Sequence, residues 1–108
     1  MSASKLTPQE RACESGIAMT QSDSAFRALG AQLESIGVGT ARVSLQITKI
    51  HTNGHGFCHG GVIFTLADST FGLACNSYNL KAVAQNCNIT YISPVRKKDI
   101  LTAEAKEI

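Results

Sequence analysis

The chain has 108 residues, of which 44% are hydrophobic and 17% charged, and its formal net charge is +2 at pH 7. These values are typical of one ordinary globular domain and exclude a disordered chain. The small net charge and the short basic run at residues 96–98 argue against a nucleic-acid-binding protein. No apolar stretch approaches the roughly 20 residues of a membrane helix, and the N-terminus lacks the apolar core of a secretory signal.

The cysteines indicate a reducing compartment. None of the 4 cysteines belongs to a C-x-x-C pair, and their spacing resembles no compact disulfide framework. Reduced thiols are therefore the expected state, and we predict a cytoplasmic protein. The positions are Cys13, Cys58, Cys75 and Cys87.

The first 30 residues predict two helices. A capping box at residues 7–10, with proline at the first helical position, predicts a helix that runs to about Met19. Its apolar face is weak, so we expect it on the surface of the domain. Asp23 is suited to cap a second helix over residues 25–29, and Gly30 follows where a helix stop is expected.

Residues 31–37 and 39–48 predict a β-hairpin around Gly37-Val38-Gly39. Apolar and polar residues alternate along its second arm, which is typical of a half-buried antiparallel strand. The apolar positions of that arm are Ala41, Val43, Leu45 and Ile47.

Residues 53–76 predict the central element of the chain, a loop rich in glycine and histidine followed by a long amphipathic helix. The apolar positions recur at helical spacing and occupy one broad arc, which we expect to face a sheet. They are Val62, Ile63, Leu66, Ala67, Thr70, Leu73 and Ala74. The opposite stripe is narrow, small and polar, and it consists of Gly61, Thr65, Asp68, Gly72 and Asn76.

Asp68 is the only charged residue between Gly61 and Asn76. Glycine costs a helix roughly 1 kcal/mol relative to alanine, so Gly61 and Gly72 favour a close approach by another backbone or a ligand. A solvated surface carboxylate is the ordinary alternative for Asp68. The two flanking glycines favour an interface or a binding site instead.

The start of this helix predicts a site for a polarised carbonyl. The first N–H groups of a helix have no intrahelical acceptor, and together with the helix dipole they attract negative charge. At Gly60 and Gly61 no side chain would block a ligand from these donors, which are suited to stabilise an oxyanion. Asp68 lies about 12 Å further along the helix, at about 1.5 Å per residue. We therefore expect either an extended substrate or an Asp68 supplied by the second chain of a symmetric dimer, whose twofold axis would lie beside Gly72.

Two further strands follow the helix. Residues 82–92 predict a third strand, which Ser93-Pro94 ends. Residues 100–108 predict a fourth, with Leu101, Ala103 and Ala105 on one face. The order of elements predicts a single α+β domain over residues 1–108, with helices in 1–30 and, in 31–108, an antiparallel sheet wrapped around one long helix. The alternating pattern is still running at Ile108, so we expect the C-terminal strands of the sheet to be missing.

The motif N-G-H-G-x-x-H-G-G at residues 53–61, with L-A-D at 66–68, resembles the PaaI-type (phenylacetic acid degradation) hotdog-fold thioesterases. The resemblance extends over roughly residues 31–108. It implies a hotdog fold and the hydrolysis of acyl-coenzyme A thioesters, often of aryl-acetyl acids, with no separate cofactor. It also implies a homodimer that often pairs into a homotetramer.

The resemblance further implies roles for single residues. Asp68 is the expected catalytic carboxylate, as general base or as nucleophile. The Gly60 backbone would hold the thioester carbonyl. Asn53 and His59 would belong to the same site, although Asn53-Gly54 is also a strong turn pair. The expected substrate-binding residues are Gly61, Phe64 and Thr65 near the acyl group, and Arg96, Lys97 and Lys98 near the coenzyme A phosphates.

Several alternatives stay open at this point. Phe64 and Tyr91 suit an aromatic acyl pocket or the core, and residues 96–98 suit a solvated turn. A non-hydrolytic acyl-coenzyme A binding protein or a hydratase-like hotdog protein is a second function. A zinc module is a third and less favoured one, since solvated loop histidines are the more ordinary interpretation. Its ligands would be His51, His55, Cys58 and His59.

Overall fold

The computed structural model describes residues 6–76, 87–91 and 95–107, and the side chains of 87–91 and 107 lie outside that description. The N-terminal part holds helices α1 (Pro8–Ser22) and α2 (Ser24–Leu29), strands β1 (Gln32–Gly37) and β2 (Thr40–Gln46), and a 3₁₀ turn at Lys49–His51. The remaining elements are helix α3 (Gly60–Cys75) and strands β3 (Cys87–Tyr91) and β4 (Ile100–Glu107). Among the described residues, no helix is long and apolar enough to cross a membrane.

The four described strands form one antiparallel sheet in the order β1-β2-β4-β3. The N-terminal hairpin and the C-terminal strands are therefore joined through β2 and β4, whose register runs without a break from Thr40 opposite Lys106 to Gln46 opposite Ile100. The pairing continues beyond β2, because Ile47 N–H donates to the Asp99 carbonyl and Lys98 N–H donates to the Ile47 carbonyl, both at 2.8 Å. This extension brings the turn at residues 96–99 to the same end of the sheet as the 3₁₀ turn.

Helix α3 packs on one face of the sheet and buries the predicted arc. Leu66, Thr70 and Leu73 are almost fully buried, whereas Val62 and Ile63 in the first turn are half-buried. The predicted inward faces of the strands are confirmed as well, and they consist of Ala41, Val43, Leu45 and Ile47 from the hairpin and Leu101, Ala103 and Ala105 from β4. For the predicted strand at 82–92, residues 87–91 are a strand and the others lie outside the described residues.

The two N-terminal helices begin and end as predicted. Thr7 and Glu10 form the capping box of α1, Asp23 caps α2 by accepting from Phe26 N–H, and Gly30 ends α2 with a φ of 85°. The hydrogen bonds from Thr7 lower the pKa of the Glu10 carboxyl, which favours its ionised form. The negative charge of Glu10 then interacts favourably with the positive N-terminal end of the helix dipole.

Helix α1 is exposed on its outer side but is held more closely than its weak apolar face predicts. Its inner side has the small residues Ala12 and Gly16, both buried, and it packs against β1 and α3. A Cβ added at Gly16 would lie 2.6 Å from Cδ1 of Ile36. The close approach depends on small side chains, which hydrophobicity alone does not reveal.

Candidate active site

The loop before α3 is a tight turn held by its own backbone and by Asn53. Thr52 pairs with Cys58, and Asn53 N–H donates to the Phe57 carbonyl at 2.7 Å. The side-chain oxygen of Asn53 accepts from the N–H groups of His55 at 2.9 Å and Phe57 at 3.2 Å. Gly56 has a φ of 83°, which favours glycine. The turn interpretation of Asn53 is therefore confirmed, and its side-chain oxygen is already occupied within the loop.

A second segment supports this loop from the side. Phe57 pairs with Arg96, and Cys58 N–H donates to the Val95 carbonyl at 3.1 Å. The Arg96 guanidinium carbon lies 5.7 Å from the centre of the Phe57 ring, in reach of a cation–π interaction. The structure thus brings the basic residues 96–98, all exposed, beside the loop that leads into α3.

The basic residues lie in a β-turn with a defined shape. Asp99 N–H donates to the Arg96 carbonyl at 3.0 Å, and Arg96 N–H donates to the Asp99 carboxylate at the same distance. Lys98 has a φ of 77°, which is the backbone that a type II turn requires at its third residue. Lys97 and Lys98 therefore project from a turn that two hydrogen bonds hold in place.

The start of α3 presents unpaired donors to open space. His59 is the N-cap, and its carbonyl accepts from Val62 N–H at 3.1 Å and Ile63 N–H at 3.3 Å. The N–H groups of Gly60 and Gly61, by contrast, have no acceptor within the described part of the chain. A Cβ added at either glycine would meet nothing within 4 Å, and both residues and His59 are exposed. A ligand oxygen therefore has free access to these two donors.

Asp68 is exposed and lines a cleft of about 170 Å³ between α3 and the N-terminal helices. Asp23 lines the same cleft, and its carboxylate accepts from Phe26 N–H at 2.9 Å and from the Ser69 hydroxyl at 3.4 Å. The other residues of the wall are Met19, Thr20, Phe26, Ser69, Gly72 and Leu73. Two carboxylates and an apolar wall therefore meet in one small space.

Gly72, beside which we expect a twofold axis, has a neighbour within its own chain. Cε of Met19 in α1 lies 3.8 Å from a Cβ added at Gly72, and Gly72 is half-buried. Nearby, the Ser15 hydroxyl donates to the Asn76 carbonyl at 2.8 Å. The C-terminal half of the polar stripe is therefore partly covered within the chain. The N-terminal half, around Gly61 and Asp68, is open.

The residues expected near the acyl group differ in their surroundings. Phe64 is 73% exposed, so it does not belong to the core of this chain. The Thr65 hydroxyl donates to the Gly61 carbonyl at 2.9 Å, within the helix. Tyr91 lies in β3, and its side chain is outside the described part of the structure.

His51 is not available as a zinc ligand. It is also not a solvated loop histidine. His51 is only 2% exposed. Its Nδ1 accepts from Thr48 N–H at 2.9 Å, and its Nε2 lies 2.7 Å from the Leu29 carbonyl oxygen. An imidazole that accepts at Nδ1 and faces a carbonyl at Nε2 is the neutral Nε2–H tautomer with both nitrogens occupied. Among the described residues, no group of three or more His, Cys, Asp or Glu is arranged to hold a metal ion.

Cys58 stands next to the site but is not suited to attack a thioester. The residue is 6% exposed, and burial raises the pKa of its thiol. Because the thiolate is the nucleophilic form, a raised pKa keeps Cys58 neutral and unreactive near pH 7. The carboxylate of Asp68 is then the better candidate.

We predict that Cys58→Ala keeps most of the turnover of the protein. We also predict that native Cys58 reacts with iodoacetamide more slowly than the half-buried Cys13. Its rate of alkylation should rise only at a pH above the pKa of an ordinary thiol. Peptide mass spectrometry after timed alkylation measures each cysteine separately. Loss of turnover in Cys58→Ala, with the fold intact, would contradict this assignment.

Comparison with known proteins agrees with this arrangement. Residues 55–108 match the thioesterase superfamily. The chain is 42% identical over 96 residues to acyl-coenzyme A thioesterase PaaI of Escherichia coli K12, covering 89% of this chain and 69% of that protein. It is 37% identical over 82 residues to human acyl-coenzyme A thioesterase 13, covering 73% of this chain and 59% of that one.

Solved structures give the same result. The E. coli PaaI structure, from the phenylacetic acid degradation operon, superposes with a TM-score of 0.80 at 40% identity, covering 93% of this chain and 72% of that one. A hypothetical thioesterase of Streptococcus pneumoniae, solved with coenzyme A, gives a TM-score of 0.58 at 29% identity, covering 70% of this chain and 59% of that one. This chain therefore spans less than two thirds of the human and streptococcal proteins.

Proposed function

The chain belongs to the thioesterase superfamily and has its hotdog fold, and on that premise we propose that it hydrolyses acyl-coenzyme A thioesters to the free acid and coenzyme A. The observation that carries the proposal is the start of α3. There, two unpaired backbone N–H groups face open space, and Asp68 stands on the same side of the helix. Donors aimed at a developing oxyanion are among the largest contributions to acyl transfer.

The chemistry requires two groups to act together. A water molecule attacks the thioester carbonyl carbon while Asp68 accepts its proton, so a C–O bond forms and the carbonyl oxygen becomes an oxyanion. The N–H of Gly60 donates to that oxyanion. As the carbonyl reforms, the C–S bond breaks, and the coenzyme A sulfur leaves with the electron pair and takes up a proton. Direct attack by Asp68, through an anhydride, is the alternative route.

We place the two groups on different chains of a homodimer. Gly60 and Asp68 are eight residues apart on one helix, about 12 Å along its axis, which is too far for one carbonyl to meet both. The N-terminal half of the polar stripe is exposed, so a second chain has access to it, whereas α1 occupies the half around Gly72. Pairing of such dimers into tetramers, a cytoplasmic location and independence from any cofactor stay predictions.

The basic turn is the proposed contact for the coenzyme A phosphates. Arg96, Lys97 and Lys98 are exposed and lie beside the loop that leads to Gly60. Arginine and lysine are the usual partners of phosphate oxygens. The streptococcal relative solved with coenzyme A supports this substrate class.

The cleft beside Asp68 is the proposed site of the acyl group. Its volume of about 170 Å³ is close to the roughly 150 Å³ of an apolar cavity that holds benzene. Met19, Phe26 and Leu73 supply an apolar wall, so an aryl-acetyl or similar small neutral group fits. The carboxylates of Asp23 and Asp68 would repel an acyl group that bears a second carboxylate.

The first test is a panel of acyl-coenzyme A thioesters with thiol release as the readout. We predict turnover of aryl-acetyl thioesters and little of succinyl-coenzyme A. Asp68→Asn should lower kcat at least about 100-fold, in the range of a lost catalytic group, while substrate still binds. Asp23→Asn is the matched control, because asparagine also caps helices and the cleft keeps its shape. Binding without turnover across the panel would instead support an acyl-coenzyme A binding protein.

The second test is complementation between two inactive chains. Gly60→Pro removes the donor but is compatible with the first helical position, and Asp68→Asn removes the carboxylate. If the site is shared, random mixing restores up to about a quarter of wild-type activity, because half of the dimers then hold one working site of two. Gly60→Ala keeps the N–H and serves as the control. A mixture that stays inactive after proven subunit exchange would mean that each chain builds its site alone.

The third test concerns the acyl cleft. Met19→Ala shortens a side chain of the wall and enlarges the cleft. We therefore expect the ratio of kcat/KM for a naphthyl-acetyl thioester to kcat/KM for the phenyl-acetyl thioester to rise about tenfold. Met19→Leu conserves volume and should leave the ratio near its wild-type value. An unchanged ratio in a folded Met19→Ala protein would place the acyl group elsewhere.

A further inference from the structure

His51 joins three elements around the candidate site through its buried ring and its backbone carbonyl. Its Nε2–H donates to the carbonyl of Leu29, the last residue of α2, and its Nδ1 accepts from the N–H of Thr48, just after β2. Its own backbone carbonyl accepts from His59 N–H at 2.8 Å. The elements joined are the end of α2, the 3₁₀ turn and the N-cap of α3.

The ring satisfies backbone groups that have no other partner among the described residues. The last carbonyls of a helix lack intrahelical donors, and after Leu29 the chain turns away at Gly30. At 2% exposure, water does not replace a lost hydrogen bond of the ring, so an apolar side chain would leave the Leu29 carbonyl and the Thr48 N–H unsatisfied. The position of residue 51 therefore depends on the chemistry of its ring.

The position of residue 51 determines where the oxyanion donors lie. His51 holds His59 by a backbone hydrogen bond, and His59 is the N-cap immediately before Gly60. The ring of His51 holds the end of α2. Phe26 within α2 and Asp23 at the N-cap of α2 both line the cleft beside Asp68. One residue, through its ring and its backbone carbonyl, therefore connects the donor end of the site to the acyl wall.

We infer that His51 is a positioning residue of the hydrolytic site, which holds the first turn of α3 in register with the α2 wall. The inference rests on the proposed function. An oxyanion donor acts only at roughly 2.7–3.1 Å from its acceptor, and a misplacement of about 1 Å is enough to cost about 100-fold in rate. The oxyanion contact strengthens in the transition state, so its misplacement lowers kcat more than it raises KM.

The test compares three variants at this position. His51→Leu is of similar size and removes both ring hydrogen bonds, and we expect kcat to fall about tenfold or more with KM changed less than about threefold. His51→Gln keeps a donor that reaches toward the Leu29 carbonyl, and His51→Asn keeps an acceptor for the Thr48 N–H. Each should recover part of kcat, and these two variants carry the test if His51→Leu fails to fold.

Leu45→Ala is the control for a loss of stability alone. Leu45 is buried in β2 and its aliphatic side chain makes no hydrogen bond to the junction, so truncating it weakens the fold while kcat of the folded fraction should stay near wild type. All assays are run at a temperature at which circular dichroism shows each variant to be folded. If His51→Leu keeps a wild-type kcat, as Leu45→Ala does, the positioning role is overturned.

A readout without substrate separates this inference from the proposed function. By amide hydrogen exchange and backbone NMR, His51→Leu should reduce the protection of the His59 amide more than that of the β2–β4 ladder, and it should shift the Gly60 and Gly61 resonances. Leu45→Ala should lower protection across the fold and leave the Gly60 and Gly61 resonances near their wild-type positions. A wild-type protein without turnover would refute the proposed function alone. Unchanged His59 protection and Gly60 resonance in folded His51→Leu would refute the positioning role alone.

Discussion

The N–H groups that begin α3 are the constraint on which the rest of the site depends. A helix cannot satisfy its own first donors, and at Gly60 and Gly61 no side chain or loop of the described chain supplies an acceptor. Unpaired donors are useful only if they are held still. The hydrogen bonds within the loop hold the start of α3 in place. The two glycines stay exposed, so a ligand can still reach their N–H groups.

The sheet supplies the rigidity behind these donors. The unbroken β2–β4 ladder continues through Ile47 to Asp99, which sets the basic turn beside the loop. The apolar arc of α3 packs on the same sheet through Leu66 and Leu73. Helix, loop and basic turn thus share one support, as a site needs when its reacting groups must be placed to within a fraction of an ångström.

The N-terminal helices complete the site from the opposite side. Met19 and Phe26 turn the exposed surface around Asp68 into a cleft. His51 ties the end of α2 to the start of α3, by its ring on one side and by its backbone carbonyl on the other. A segment outside the sheet therefore bounds the space beside Asp68. On our proposal it determines which acyl groups fit, whereas the loop and α3 supply the chemistry.

Most of the fold was predictable because it depends on short-range patterns. Alternation along β2 and β4, the helical arc of α3, and the caps at Thr7 and Asp23 all follow from periodicity and local hydrogen bonding. The motif at 53–61 located the loop and the helix start in the same way. The contacts that sequence analysis missed are long-range ones between small or polar residues.

Two residues show why those contacts are hidden. Gly72 was expected to face a second chain, and a missing side chain does not indicate whether its neighbour is Met19 of the same chain. His51 was expected in solvent because histidine in a polar stretch usually lies there. Only the fold brings Leu29, 22 residues earlier in the chain, to its ring. In the sequence, the ring lies only four residues after Ile47, the last buried residue of the second arm of the hairpin.

The most direct test of the central claim is a crystal structure with a thioether analogue of an aryl-acetyl-coenzyme A that retains the carbonyl. Our account predicts the carbonyl oxygen at roughly 2.7–3.1 Å from the Gly60 nitrogen, with the Asp68 carboxylate of the partner chain facing the carbonyl carbon. It also predicts the aryl group in the cleft beside Asp68. An analogue bound with its carbonyl away from the start of α3, for example on the opposite face of the sheet, would contradict the account.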